Sequence, residues 1–168
     1  CPLVDGTIEN GTLQVVPGSH KRFGEVRGPL IPWELDGIKS KIIEKYLVPL
    51  ETKAGDCVIL DDSIIHYSAV NKTEGLRLAI QLICVPADMP PLHYYGRGDV
   101  VDVLEVDEKF YFEFNPWKIP TAKKVGETKY AYNLIDEEEF KKRLQGKPFD
   151  ESATSTSFFT KLKDLILN

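Results

Sequence analysis

The chain has 168 residues, 42% of them hydrophobic, and a formal net charge of −5 at pH 7 with a pI near 5.3. That apolar content can bury one core and hardly two, so a single domain is expected. The basic residues are scattered rather than striped, which gives a nucleic-acid or anionic-membrane partner no electrostatic support, and no run of about 18 apolar residues occurs to span a membrane. The expected partner is a small molecule.

From the start, Cys1-Pro2-Leu3-Val4-Asp5 runs into strand-like sequence, and Asn10-Gly11 reads as a hairpin turn between short strands. Leu13-Gln14-Val15-Val16 then leads to Pro17-Gly18-Ser19-His20-Lys21, a turn in which His20 is expected to hold a loop at a pocket rim. Over residues 33–47, Leu35, Ile38, Ile42 and Tyr46 fall at helical spacing, although Gly37 and Ser40 weaken a helix.

The richest segment is Gly55-Asp56-Cys57-Val58-Ile59-Leu60-Asp61-Asp62-Ser63-Ile64-Ile65-His66-Tyr67-Ser68, with Arg77 eleven residues after His66. Side chains alternate along a strand, so Ile64, His66 and Ser68 share a face. Asn71 to Gly75 is a turn, and Leu76 to Val85 reads as a buried strand opened by Arg77. If the two strands form a hairpin, Arg77 returns level with His66 and Ser68. A guanidinium on an apolar strand needs an anion, because an unpaired buried charge costs several kcal/mol. Arginine's planar fork suits a carboxylate ligand, helped by a serine hydroxyl, while the plainer alternative is a salt bridge to Asp61 or Asp62.

After Pro86, Met89 to Gly96 reads as loop with His93 on its surface, Val100 to Val106 as a strand, and Phe110 to Trp117 as an aromatic run covering a sheet face. Asp136 is an N-cap, with Glu137, Glu138 and Glu139 in the first helical turn, Lys141, Lys142 and Arg143 near its end, and Gly146 beyond. A last helix over Ser157–Leu167 places Phe158, Leu162, Leu165 and Ile166 on one stripe, which can dock on its own sheet or form a homo-oligomer. Cys1, Cys57 and Cys84 are an odd count without paired spacing; the last two read as small core residues, and a reducing, cytoplasmic location is the simplest inference.

The two motifs together resemble the phytanoyl-CoA dioxygenase family: a strand ending in Asp5, the Asn10-Gly11 turn and Pro17-Gly18-Ser19-His20-Lys21, then Gly55-Asp56, an apolar strand, His66-Tyr67-Ser68, Asn71 and Arg77. The likeness is specific over roughly residues 3–21 and 54–86. It implies a mainly β fold, a double-stranded β-helix (jelly roll, cupin-like) with flanking helices. On that basis residues 1–86 would be its core, with an insert at about 22–53, and residues 87–168 an extension with one strand and two helices. The insert would border the substrate entrance, which makes Phe23 and Trp33 candidate pocket-rim aromatics, with ordinary packing as the alternative reading. It also implies an Fe(II) and 2-oxoglutarate dependent oxygenase, with ascorbate as a candidate reductant. His66 would be the distal histidine of a two-histidine, one-carboxylate metal triad, and Arg77 and Ser68 would hold the far carboxylate of 2-oxoglutarate.

The chain departs from the family in lacking a His-x-Asp or His-x-Glu, since His20, His66 and His93 are each followed by other residues. Starting at Cys1, it is expected to lack its N-terminal part, to carry one iron ligand of three and to turn over little alone. The leading expectation is a hydroxylase of a small organic substrate. A non-catalytic carboxylate-binding module on the same scaffold is the alternative, and a cupin-type metalloprotein a third reading.

Overall fold

A computed structural model describes residues 1–23, 26–28, 30–113, 115, 118 and 121–146. The chain divides into two compact units. The first comprises Cys1–Phe23, Leu35–Ile83 and the described part of 135–148; the second comprises the described residues of 24–34 and Cys84–Leu134.

In the first unit, β1 (Leu13–Val15) lies between β2 (Val48–Pro49) and β3 (His66–Ser68), both antiparallel to it. The turn that opens β1 is closed by Thr12 N–H on the Thr7 carbonyl at 2.9 Å. Asn10 braces it by accepting Thr7 N–H and donating to the Asp5 carbonyl, both at 2.8 Å. Farther out, Gly6 bridges Thr52 and Pro2 bridges Ala79. The helical spacing of residues 35–46 is realised as a 3-10 turn (Asp36–Ile38) running into α1 (Lys39–Lys45), with Leu35, Ile38 and Ile42 buried. The end signals of α3 (Glu137–Gln145) act as expected: the Asp136 carboxylate accepts Glu139 N–H at 2.9 Å and Gly146 follows the last turn. Phe140 on α3 stacks on Phe23 with ring centroids 5.0 Å apart and meets Tyr46 edge-on at the same distance. Burying side chains of this size contributes about 1.5–3 kcal/mol each, so this cluster anchors α3.

The second unit is an antiparallel meander of β4 (Leu92–Arg97), β5 (Val100–Glu105) and β6 (Lys123–Lys129). β5 is central, and Val101, Asp102, Val103 and Leu104 are all buried. α2 (Glu108–Glu113) follows, its first turn held by Phe110 N–H on the Asp107 carboxylate at 3.0 Å.

Several expectations are corrected. Residues 92–96 are strand rather than loop, because β4 is recruited by β5 through a tight turn at Gly98-Asp99, with Arg97 facing Val100 and Gly98 at φ +76°. The described aromatic run is helical at Phe110, Tyr111 and Phe112. Phe110 packs against the cluster of Tyr95, Leu104 and Val106, while Phe112 is 89% exposed. β6 was not foreseen. Leu76 to Val85 is not a buried strand either: Leu76, Leu78, Ile80, Leu82, Ile83 and Val85 are all exposed, and so are the three cysteines. Its backbone is engaged chiefly by residues 1–3, through Leu3 N–H on the Leu78 carbonyl and Ile80 N–H on that of Cys1. Nothing among the described residues covers its side chains. The helix expected over 157–167 lies outside the described residues.

Candidate metal and carboxylate site

β3 carries the candidate site, and its register fixes which side chains share a face. His66 faces Val15 and Ser68 faces Leu13 across the ladder, while Tyr67 faces Gln14 on the other side. His66 and Ser68 therefore project together, both exposed. The entry to β3 is fixed by two hydrogen bonds to the Pro17–Lys21 turn side of the sheet. Val16 N–H donates to the Ile65 carbonyl at 2.8 Å, and Ile65 N–H donates to the Ser19 hydroxyl at 2.8 Å. Ser63 adds a third tie: its hydroxyl accepts Lys21 N–H at 2.9 Å and itself donates to Asp61. That hydroxyl, with Ser63 N–H, holds the Asp61 carboxyl below its ordinary pKa.

The imidazole of His66 is oriented by its own chain. Nδ1 lies 2.9 Å from the Ile64 carbonyl. A carbonyl oxygen only accepts, so Nδ1 is the donor and the lone pair of the neutral ring sits on Nε2. An imidazole fixed in this way presents Nε2 to a Lewis acid, which is the usual arrangement of a metal-ligating histidine. The donor set is one imidazole, however: no group of three His, Cys, Asp or Glu able to hold a metal occurs among the described residues. His66 thus fits as one ligand, and a facial triad needs three.

Arg77 is half-buried and makes no ion pair among the described residues. The salt bridge to Asp61 or Asp62 is not formed, and Asp61 is engaged by Ser63. The expected hairpin does not form either: β3 pairs with β1, whereas the segment after Arg77 bridges to Pro2 through Ala79. The loop between them is shaped by Asn71, whose side chain accepts Thr73 N–H at 2.9 Å and donates to the Gly75 carbonyl at 2.7 Å. No hydrogen bond joins Arg77 to His66 or Ser68 among the described residues.

Phe23 is 2% exposed and belongs to the core against Phe140, so packing describes it better than a pocket rim. Trp33, in the second unit, is half-buried under the Arg27 guanidinium, 4.8 Å from its ring centroid. His93 is half-buried on β4 rather than on a surface loop, and burial lowers its pKa. A cleft of about 510 Å³ in the second unit, lined by Glu105, Phe110, Lys118 and Lys123 among others, contains none of His66, Ser68 and Arg77. Sequence reasoning missed Ser19 and Ser63 as the residues that set β3. The Pro-Gly-Ser turn announced structure, but nothing in the sequence paired Ser19 with Ile65.

Residues 1–79 match the family described as phytanoyl-CoA dioxygenase. Among curated proteins, the chain is 32% identical over 116 residues to the peroxisomal phytanoyl-CoA dioxygenase of Rattus norvegicus, covering 61% of this chain and 32% of that protein. It is 37% identical over 93 residues to the phytanoyl-CoA dioxygenase domain-containing protein 1 homolog of Dictyostelium discoideum, covering 50% and 32%. It is 32% identical over 87 residues to dioxygenase sphC of Aspergillus fumigatus, covering 52% and 20%. These alignments thus span about a third or less of each relative's length. No solved structure matches the chain significantly. The turn at Asn10, the buried Ser19 behind β3 and the exposed His66-Tyr67-Ser68 strand all lie within residues 1–79, the part of the chain that matches the phytanoyl-CoA dioxygenase family.

Proposed function

We propose that this chain is part of an Fe(II) and 2-oxoglutarate dependent dioxygenase that hydroxylates a small organic substrate, built on a double-stranded β-helix. The family and the dioxygenase names of its relatives support an oxygenase. The observation that carries the finer reading is the tautomer of His66, with Nδ1 on the Ile64 carbonyl and Nε2 left to bind metal. When bound, iron and 2-oxoglutarate supply the oxidising chemistry, coupling decarboxylation of the cosubstrate to hydroxylation. The chain's own part is positioning. His66 would hold the metal as a neutral ligand, Ser19 and Ser63 keep its strand in place, and Arg77 with Ser68 would receive the far carboxylate of 2-oxoglutarate. An arginine without an ion-pair partner on the described residues is chemically suited to that role.

The test, made on the complete protein, is succinate release from 2-oxoglutarate with added Fe(II) and ascorbate, together with 2-oxoglutarate affinity by calorimetry. Arg77→Ala is expected to cost ~2–5 kcal/mol of cosubstrate binding, by analogy with breaking a buried charge pair. Unchanged affinity in that variant would reject the role of Arg77. Arg77-dependent binding without succinate would instead indicate a carboxylate-binding module.

A further inference from the structure

The sulfur atoms of Cys1 and Cys57 lie 3.5 Å apart, and both residues are exposed. They stand 56 positions apart in sequence, so the approach is made by the fold. Pro2 receives Gly55 N–H on its carbonyl at 2.9 Å. Asp5 clamps the same turn from the other end, accepting Ala54 N–H and the Lys53 ammonium, both at 2.9 Å. The turn is closed on itself by Asp56 N–H on the Lys53 carbonyl and Lys53 N–H on the Asp56 carboxylate. On its other side the segment of residues 1–3 is fixed by the paired hydrogen bonds between Cys1 and Ile80. The two thiols are thus presented to each other by backbone held on both sides.

We propose that Cys1 and Cys57 are an oxidisable pair that closes to an intramolecular disulfide when the protein meets a hydroperoxide. A disulfide bond is about 2.05 Å long, so the sulfurs need to close by roughly 1.5 Å, within reach of side-chain rotation on exposed residues. The chemistry balances with hydrogen peroxide as the two-electron oxidant. One thiolate attacks a peroxide oxygen, the O–O bond breaks, hydroxide leaves and is protonated to water, and a sulfenic acid remains. The second sulfur then attacks the sulfenic sulfur, the S–O bond breaks, and the departing hydroxide takes the thiol proton as a second water. Two thiols and one peroxide give one disulfide and two waters. Cys84, also exposed, belongs to the second unit and is the internal control. The proposal is independent of the oxygenase reading, because it uses neither His66 nor Arg77.

The test is peroxide treatment of the protein, alkylation of the remaining thiols without reductant, and peptide mapping by mass spectrometry. The expected result is a monomer that has lost two of its three alkylatable thiols, a peptide linking Cys1 to Cys57, and an alkylated Cys84. Cys84→Ser should leave the link intact, and Cys57→Ser should abolish it while leaving Cys84 alkylated. A link involving Cys84, equal loss of all three thiols, a crosslinked dimer in place of the intramolecular link, or Cys1 and Cys57 both recovered as free thiols or as separate higher oxides would each overturn the proposal.

Discussion

Ser19 accepts the backbone N–H of Ile65 through its hydroxyl at 2.8 Å, and Ser19 is fully buried. The residue after Ile65 is His66, so the chain just before the candidate ligand is fixed by this side-chain hydrogen bond together with the backbone bond from Val16 N–H to the Ile65 carbonyl. Ser19→Ala removes the acceptor and leaves the Ile65 N–H unsatisfied, which is expected to cost about 1–3 kcal/mol. Urea denaturation measures it. Ser63→Ala removes a more exposed tie to the same segment and should cost about 1 kcal/mol or less.

The turn at Gly11 leaves no room for a side chain. Gly11 has φ +75°, and a Cβ there would lie 2.2 Å from the carbonyl oxygen of Ala69. Gly11→Ala combines left-handed strain of roughly 1–2 kcal/mol with a backbone clash, so a loss above about 2 kcal/mol is expected. Gly18 is the control, since its φ is +76° but nothing lies within 4 Å of an added Cβ. Gly18→Ala should cost only the strain of about 1–2 kcal/mol. Equal thermal shifts for the two variants would contradict the steric argument.

Asp136 at the start of α3 should behave as a removable cap. Its carboxylate is the acceptor for Glu139 N–H, and Asp136→Ala is expected to destabilise the first unit by about 1 kcal/mol. Asp136→Asn keeps an accepting oxygen and should recover most of that loss, which denaturation of both variants would measure.

These elements divide by how local their causes are. α3 was legible because its caps and dipole-matched charges lie within its own sequence, and the helix over residues 36–45 because its buried stripe does. The shared face of His66 and Ser68 followed from alternation alone. β6 was hidden because its sequence, Lys-Lys-Val-Gly-Glu-Thr-Lys, shows no apolar alternation. Two of its partners are charges on β5, with Lys124 on Asp102 at 2.8 Å and Lys123 on Glu105 at 3.2 Å. β4 was masked by the Pro90-Pro91 pair at its edge, and α2 by aromatic residues that favour strands as readily as helices. For Leu76 to Val85, apolar content announced burial, but burial needs a covering surface, which a local pattern cannot supply. Arg77's neighbours were likewise a matter of pairing, and the segment pairs with residues 1–3 rather than with β3.

Glu137 gives the first unit a specific acid response. The Tyr46 hydroxyl donates to its carboxylate at 2.8 Å, and the ammonium groups of Lys45 and Lys141 each lie 3.4 Å away. The Tyr46 hydrogen bond, followed by those lysines, pulls its pKa down to about 2 from an ordinary 4.5. A carboxyl depressed in the folded state binds its proton more readily when unfolded, so its stabilisation is present above the unfolded pKa and is lost as pH falls through the folded one. The window is therefore from about pH 5 down to about pH 2. Glu137→Gln cannot titrate, so the gap in denaturation midpoint between the wild type and this variant should narrow steadily across that window. Tyr46→Phe removes the leading cause and should shift the narrowing to higher pH. A gap that stays constant from neutral to acid pH would show that Glu137 does not couple its ionisation to folding.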